Sequence, residues 1–247
     1  MYLLVRPQSG VKASADFFTR SGISVAPYAV QDIVLEPEAI TQLHSLIRQR
    51  RQAFDHAIVT SQYAVDGLAR AMRNESEPVT LANSIIAVGV TTQQKLQALP
   101  QLSQTPILRP LAASAEGILA MSELESMHAC SVLLIKGQGG REILSDTLRK
   151  RGAIVHEAAV YSRSECHPQP RLSPHIKSAL SGVIVTNGEA ISLLLAVPEN
   201  NELKQLPWVV VSQRNAEIAK GYGIEEVYIS AGATDAALLK CLQQITE

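Results

Sequence analysis

Cysteine is scarce in this chain of 247 residues, and the three present, Cys130, Cys166 and Cys241, form no CxxC pair and no even-numbered framework. That scatter argues against structural disulfides and a cysteine zinc site, and suits ordinary reduced thiols. Histidine is no better organised. His44, His56, His128, His156, His167 and His175 make no HExxH and no carboxylate-flanked metal spacing, and the chain has no GxSxG elbow. Aromatic residues are only 4% of the total, so the cores have to be aliphatic. Charge of one sign is also missing. The formal net charge is -1 and no basic stripe is visible, so no global field draws the chain to nucleic acid or to a membrane, and any anion site must be local. Long apolar runs are absent as well: MYLLVRP meets Arg6 and Pro7 at once, too soon for a signal peptide or membrane span. It reads as a first strand of a cytoplasmic protein.

What is present is 46% hydrophobic and 18% charged residues, the balance of a globular protein. Typical domains hold roughly 100 to 150 residues, so two domains are expected. Short β-rich apolar runs alternate with helical patterns: LLV near Leu3, AIVT near Val59, IIAV near Val88, VLLI near Leu134, VIVT near Val185 and VVV near Val210. That alternation is the pattern of parallel α/β units. In REILSDTLRKRG, for example, Ile143, Leu144, Thr147 and Leu148 form one helical stripe and Gly152 stops the helix.

An internal repeat is visible. LLVRPQSG, a helix and RSGISVAPYAV align with LLIKGQGG, a helix and KRGAIVHEAAV, matching Leu3 to Leu133, Gln8 to Gln138, Gly10 to Gly140 and Gly22 to Gly152 at one constant separation. The match continues from IVTS around Thr60 to IVTN around Thr186, and from IIAVG ending at Gly89 to VVVS ending at Ser212. ASAEGIL around Glu116 then resembles GATDAAL around Asp235. Two similar α/β halves follow. The segments SVAPYAVQDIVLEP and IVHEAAVYSRSE are each longer than the usual strand of about five or six residues, and fall where a chain can cross between domains. The expectation is a discontinuous domain of residues 1–34 plus 166–247, a second of residues 37–157, and linker strands at about 29–36 and 158–165. The alternative is two sequential domains meeting near residue 125.

The nearest thing to a phosphate loop is GQGG at 137–140, ahead of a helix expected to open with Arg141 and Glu142. Such a loop offers backbone N–H groups and a positive helix end to an anion. It lacks Walker spacing, and GxGxxG would need glycine where Glu142 stands. Similar turns, rich in Gly, Ser, Thr and Asn, recur after the other strands: Arg6 to Gly10, Thr60 to Gln62, Gly89 to Thr92, Thr186 to Gly188 and Ser212 to Asn215. In open α/β sheets these turns lie at the carboxyl ends of the strands, where ligands bind. Two such edges make a polar, donor-rich site with few fixed charges, fit for a large polycarboxylate. The plainer alternative is that the Ser and Thr residues cap helices.

The string LLIKGQGGREILSDTLRKRGAIVHEAAVYSR resembles the most recognisable stretch of the uroporphyrinogen-III synthase family: a strand, [RK]-G-x-G-G-R-E, a helix, R-G-x-x-V, then V-Y-R. LLVRP, VTSQYAV, AVGVTT and TDAALL fall where that family has its pieces, so the resemblance spans nearly the whole chain. It departs in the second half, where VTNGEAI replaces a T-S-x-x-A-V type and VVSQRNA a G-x-x-T type, at Asn187, Ser212 and Asn215.

The resemblance implies two Rossmann-like or flavodoxin-like α/β domains with parallel sheets, joined by a flexible two-stranded β linker, with the active site in the cleft between them. It implies a lyase acting on hydroxymethylbilane, a linear tetrapyrrole with eight carboxylates, as a monomer to which the preceding bilane synthase is a candidate supplier of this substrate. No redox step occurs, so no cofactor and no metal are required. Tyr161 matches the linker tyrosine, and a phenol, with an ordinary pKa of about 10, is protonated at neutral pH and able to donate to the leaving hydroxyl. Bracing the linker is its structural alternative. Carboxylate holders expected from the turns are Thr60, Ser61, Gln62, Thr91, Thr92, Gly139, Gly140, Thr186, Asn187 and Gln213, mostly through backbone N–H groups, with Arg6, Lys136 and Arg141 supplementing them. A hinged small-molecule binding protein and a nucleotide-binding Rossmann-like enzyme are the competing classes.

Overall fold

The computed structural model describes residues 1–49, 52–75, 77–139, 142–166 and 171–246. The chain opens with β1 (Tyr2–Val5), α1 (Gln8–Arg20), β2 (Val25–Tyr28) and β3 (Gln31–Leu35). There follow α2 (Pro37–Gln49), β4 (Phe54–Val59), α3 (Gln62–Ala71), β5 (Ala82–Ala87), α4 (Val90–Gln97), β6 (Ile107–Leu108), α5 (Ala115–Leu119), β7 (Ser131–Gly137), α6 (Ile143–Lys150) and β8 (Ile154–Glu165). The last stretch holds α7 (Pro174–Ser178), β9 (Gly182–Val185), α8 (Gly188–Ala196), β10 (Trp208–Val210), α9 (Gln213–Gly221), β11 (Val227–Ile229) and α10 (Asp235–Thr246). By contacts the chain divides into two units, Met1–Ile33 with Ser164–Glu247, and Val34–Arg163.

The first unit is built on a five-stranded sheet in the order β11-β10-β9-β1-β2. Its ladders are parallel, with Leu3 opposite both Ala26 and Val183. Alternating side chains sort cleanly onto two faces. Leu3, Val5, Val183, Val185, Trp208 and Val210 pack with Ile191 and Leu194 of α8 and Ala216 and Ala219 of α9. Leu4, Ile184 and Val209 point the other way, against Phe18 of α1 and Leu238 and Leu242 of α10. Burial on both faces explains why these strands are continuous apolar runs rather than alternating ones.

The second unit has a six-stranded sheet in the order β3-β8-β7-β4-β5-β6. The pairs β4 with β5, β4 with β7, β5 with β6 and β7 with β8 are parallel. Ile58, Ile86, Val132 and Leu134 share a core with Ile118 of α5 and Leu144 and Leu148 of α6. The alternate residues Ala57, Val59, Ile85, Leu133 and Ile135 are equally buried.

Where the sequence suggests one long strand over SVAPYAVQDIVLEP, the structure has two. Val25–Tyr28 pairs with β1, whereas Gln31–Leu35 lies next to β8 in the other sheet, so the backbone breaks at Ala29 and Val30. The second long segment stays a single twelve-residue strand. Both points at which the chain passes from one unit to the other fall inside β3 and β8, and neither lies near residue 125.

The internal repeat has a topological counterpart. Read from one edge, the first sheet runs β2-β1-β9-β10-β11 and the second runs β8-β7-β4-β5-β6, with β3 added outside. Because β7 and β8 repeat the sequence of β1 and β2, and β4 and β5 that of β9 and β10, both sheets share the flavodoxin-like order 2-1-3-4-5. The order reverses between β1 and β9 in one unit and between β7 and β4 in the other, and those are the crevices where such sheets bind ligands.

Helix α3 lies close against β8 at Gly67, where an added Cβ would stand 2.5 Å from Val160 Cβ. Gly67→Ala gains about 1 kcal/mol of helix propensity, but overpacking a filled core costs about 1–3 kcal/mol. The variant is therefore expected to melt a few degrees below the parent in a thermal scan. An unchanged or higher melting temperature would mean that the helix is not seated on the strand as described.

Candidate active site

Strand β4 ends at the crevice beside β7. There the Thr60 N–H donates to the Ile135 carbonyl at 3.1 Å, and its Oγ1 donates to the same oxygen at 3.3 Å. Ser61 follows in extended conformation as the N-cap of α3, its Oγ accepting the Ala64 N–H at 3.0 Å. A serine in this place satisfies one of the four orphan amides of a helix start. The same Ser61 hydroxyl donates to Tyr161 Oη at 3.0 Å, joining residues 100 apart in the chain.

Tyr161 reaches that position through a bulge. Along the β7–β8 ladder Lys136 is opposite Ala159, but Gly137 is opposite Tyr161, so Val160 is an extra residue on β8. Consecutive strand residues ordinarily face opposite sides. Here Val160 packs against Gly67 of α3, while Tyr161 meets the Ser61 cap of that helix and the Tyr63 ring, with centroids 5.8 Å apart. Bulges re-aim side chains in this manner. The Tyr161 ring lies over Gly137, where an added Cβ would be 2.5 Å from Cζ and 2.9 Å from Oη, and the Arg163 guanidinium carbon stands 5.9 Å from the ring centroid. Tyr161 is 3% exposed.

The other expected residues of this unit fall along the same sheet edge with differing partners. Gln62 is the first residue of α3, and its carbonyl accepts from Lys95 Nζ at 3.2 Å, while Lys95 pairs with Asp66 at 2.6 Å. Thr91 and Thr92 occupy the first turn of α4 behind Gly89, which caps without a side chain, and Thr92 is buried. Gly139 has φ +69, a conformation that favours glycine, and an added Cβ there would meet open space. Lys136 is engaged laterally: its Nζ lies 2.6 Å from Glu157 on β8, whose other oxygen takes Arg149 at 2.6 Å. Gly140 and Arg141 lie outside the described residues. Helix α6 begins at Ile143 rather than at Arg141, with Glu142 in the N-cap position and no side-chain cap.

In the first unit, Arg6 follows β1, donates to the Ala233 carbonyl at 2.6 Å and pairs with Asp235 of α10 at 2.9 Å. Across the crevice, Thr186 and Asn187 follow β9. Asn187 caps α8, accepting the Ala190 N–H at 2.8 Å, so it occupies the place that Ser61 holds in the other unit. Gln213 is exposed at the start of α9, which is capped by Ser212 through the Asn215 N–H. The side chains of Ser61, Asn187 and Ser212 thus cap helices, and other backbone amides of the first turns have no intrahelical acceptor. Both cations Arg6 and Lys136 already have carboxylate partners.

One residue escaped the sequence reading. Gln31, which follows Val30 as Tyr161 follows Val160 in the repeat, is 1% exposed, and neither side-chain amide atom has a hydrogen-bond partner among the described residues. Extending the alignment by one position would have found it.

These features define a duplicated α/β protein of flavodoxin-like strand order, with polar, cap-rich turns at its crevices and a buried tyrosine at one of them. A family model described as uroporphyrinogen-III synthase HemD matches residues 13–240. The chain is 28% identical over 197 residues to uroporphyrinogen-III synthase of Salmonella typhimurium, covering 76% of this chain and 78% of that protein. It is 29% identical over 196 residues to the enzyme of that name from Escherichia coli, with the same coverage of 76% and 78%. Among solved structures, a mutant uroporphyrinogen III synthase from Thermus thermophilus superposes with a TM-score of 0.64 at 13% identity over 99% of both chains. The enzyme of Helicobacter pylori does so with a TM-score of 0.53 at 16% identity, over 99% of this chain and 100% of that one. At such identities the structural likeness shows the fold alone. The chain belongs to the uroporphyrinogen-III synthase family, lyases that cyclise hydroxymethylbilane in haem biosynthesis.

Lys136 holds the Glu157 carboxyl below the ordinary glutamate range by a direct hydrogen bond, and Arg149 adds to this against the effect of partial burial. A depressed carboxylate pKa contributes stability that is fully present above the unfolded value of about 4.3 and is lost as pH falls through the folded value. Melting temperatures taken from pH 6 downward are expected to fall less steeply for Glu157→Gln than for the parent below about pH 4.3. Parallel curves would assign the acid loss to other carboxylates.

Proposed function

We propose that this chain converts hydroxymethylbilane to uroporphyrinogen III, with Tyr161 as the proton donor to the departing hydroxyl. The Tyr161 Oη proton passes to the hydroxyl as its C–O bond breaks, and water leaves. The resulting azafulvenium cation is attacked by the substituted carbon of ring D, giving a spiro intermediate that fragments to a second azafulvenium and recloses at the free carbon of ring D, inverted. The proton lost from that carbon balances the one Tyr161 gave. Observed support is the tyrosine hydroxyl held beside Ser61 at the crevice between β4 and β7, where sheets of this order take their ligands. Backbone amides at the turns of Thr60, Ser61, Gln62, Thr91, Thr92, Gly139, Thr186, Asn187 and Gln213 are the proposed carboxylate holders, with Arg6 and Lys136 in a secondary role because each already has an acidic partner. Since the azafulvenium is reactive in itself and closes without inversion in water, holding a bent conformer supplies much of the catalysis.

Residues 1–34 with 166–247, and residues 37–157, are proposed as the two domains, with linker strands at about 29–36 and 158–165. A cytoplasmic monomer that takes its substrate from the preceding bilane synthase completes the proposal. No helix among the described residues is long and apolar enough to cross a membrane.

Because the conversion changes no oxidation state, activity is expected to survive dialysis against a chelator and removal of nucleotides. Activity lost on dialysis and restored by a metal ion or nucleotide would overturn the cofactor-free scheme. Tyr161→Phe is expected to slow type III closure substantially without abolishing it, since general-acid assistance is worth on the order of 10²- to 10⁴-fold and conformer holding remains. Single-turnover conversion with type I and type III products separated, alongside a thermal melt, measures this. Full speed would return Tyr161 to a bracing role, and an early melt would assign the loss to packing.

A further inference from the structure

We propose that Ser61 and Gly137 are positioning residues that fix the direction of the Tyr161 hydroxyl proton, a proposal that rests on Tyr161 being the proton donor. Three observations converge on it. First, the bulge at Lys136 and Gly137 turns Tyr161 toward α3, although Val160 beside it already packs on that helix. A strand without the bulge would carry Tyr161 to the opposite side of the sheet.

Second, Gly137 is glycine for reasons of space. Among the described residues the glycines with positive φ are Gly22, Gly139, Gly152 and Gly223, so the Gly137 backbone makes no such demand. What excludes a side chain there is Tyr161 itself, whose Cζ, Cε2 and Oη lie 2.5, 2.7 and 2.9 Å from the position of a Cβ. Gly137 is a floor under the phenol end of the ring.

Third, Ser61 does more than cap. Its oxygen accepts the Ala64 N–H and stands 3.0 Å from Tyr161 Oη, which places its single proton within reach of that oxygen. A phenol oxygen that accepts from one neighbour turns its own proton elsewhere, and Ser61 is the hydrogen-bond partner of that hydroxyl among the described residues. With the Ser61 proton on Tyr161 Oη, the Tyr161 proton points to an acceptor other than Ser61, as a donor to a leaving group requires. Capping alone would be served as well by aspartate, which ranks with serine at N-caps but donates nothing when ionised. The equivalent place in the repeat holds Asn187, again a cap.

The test is a pair of double-mutant cycles in the full-length enzyme, read as single-turnover type III closure at saturating hydroxymethylbilane, with the type I fraction and the melting temperature recorded together. Ser61→Ala is expected to slow closure about five- to tenfold, the usual scale of one hydrogen bond, and Gly137→Ala by at least as much. In a Tyr161→Phe background neither change is expected to slow closure further. Their effects on melting temperature should persist in that background, because phenylalanine keeps Cζ and the α3 cap is lost either way. Ser61→Asp, which keeps the cap, is expected to melt near the parent and to close as slowly as Ser61→Ala. Equal slowing by Ser61→Ala in both backgrounds would overturn the positioning role while leaving Tyr161 as donor. Full speed for Tyr161→Phe itself would overturn both. If Gly137→Ala does not fold, the Ser61 cycle by itself supports or overturns the positioning role.

Discussion

The β2-β1-β9-β10-β11 strands of one unit and the β8-β7-β4-β5-β6 strands of the other run parallel, and the interior ones are covered by helices on both sides, so the sheet faces are used up by packing. Leu3 and Val5 face α8 and α9 while Leu4 faces α1 and α10, and no polar side chain can enter either layer without losing its hydrogen bonds. Chemistry is then confined to the strand ends. At the carboxyl edge each strand hands over to a helix whose first amides lack intrahelical partners, which makes that edge a row of donors without any need for a basic surface. A net charge of -1 and cations that pair with neighbouring acids, Arg6 with Asp235 and Lys136 with Glu157, suit this arrangement.

The duplication adds a second constraint. Each sheet has the same spatial order, but the chain reaches it by a different route, because β1 and β2 belong with β9 to β11 while their sequence counterparts β7 and β8 belong with β4 to β6. Equivalent crevices therefore carry equivalent turns, Thr60 and Ser61 in one and Thr186 and Asn187 in the other. The tyrosine breaks the symmetry: its counterpart Gln31 is a buried amide without hydrogen-bond partners among the described residues. Duplicated edges supply similar donor rows, and divergence at this one position puts a phenol in one copy and an amide in the other.

Capping and function are not alternatives at these turns. The oxygens of Ser61, Asn187 and Ser212 accept amides of their own helices. A hydroxyl can accept and donate at once, so Ser61 still has a proton for Tyr161 after the cap is made. The residue type favoured by helix starts is thus also the one that can orient a neighbour.

Much of this was legible in the residues. Apolar runs such as LLIK and VIVT mark strands buried on both faces, the Leu3 to Leu133 match marks the repeat, and the recurring Ser, Thr, Asn and Gly turns mark the edge, because hydrophobic period and turn chemistry are local properties. The sequence alone also led to Thr60, Ser61 and Tyr161 as residues of interest. It did not contain their relation. Whether Tyr161 faces α3 depends on one extra residue in the β7–β8 register, and a slip of one position reverses every side chain in a strand. Whether Lys136 is open to an anion depends on Glu157 arriving beside it on the next strand, and the hydroxyls of Ser61 and Tyr161 meet across 100 residues. Propensity acts between near neighbours in the chain, whereas register and pairing act between strands, so only the tertiary structure could decide which of these groups touch.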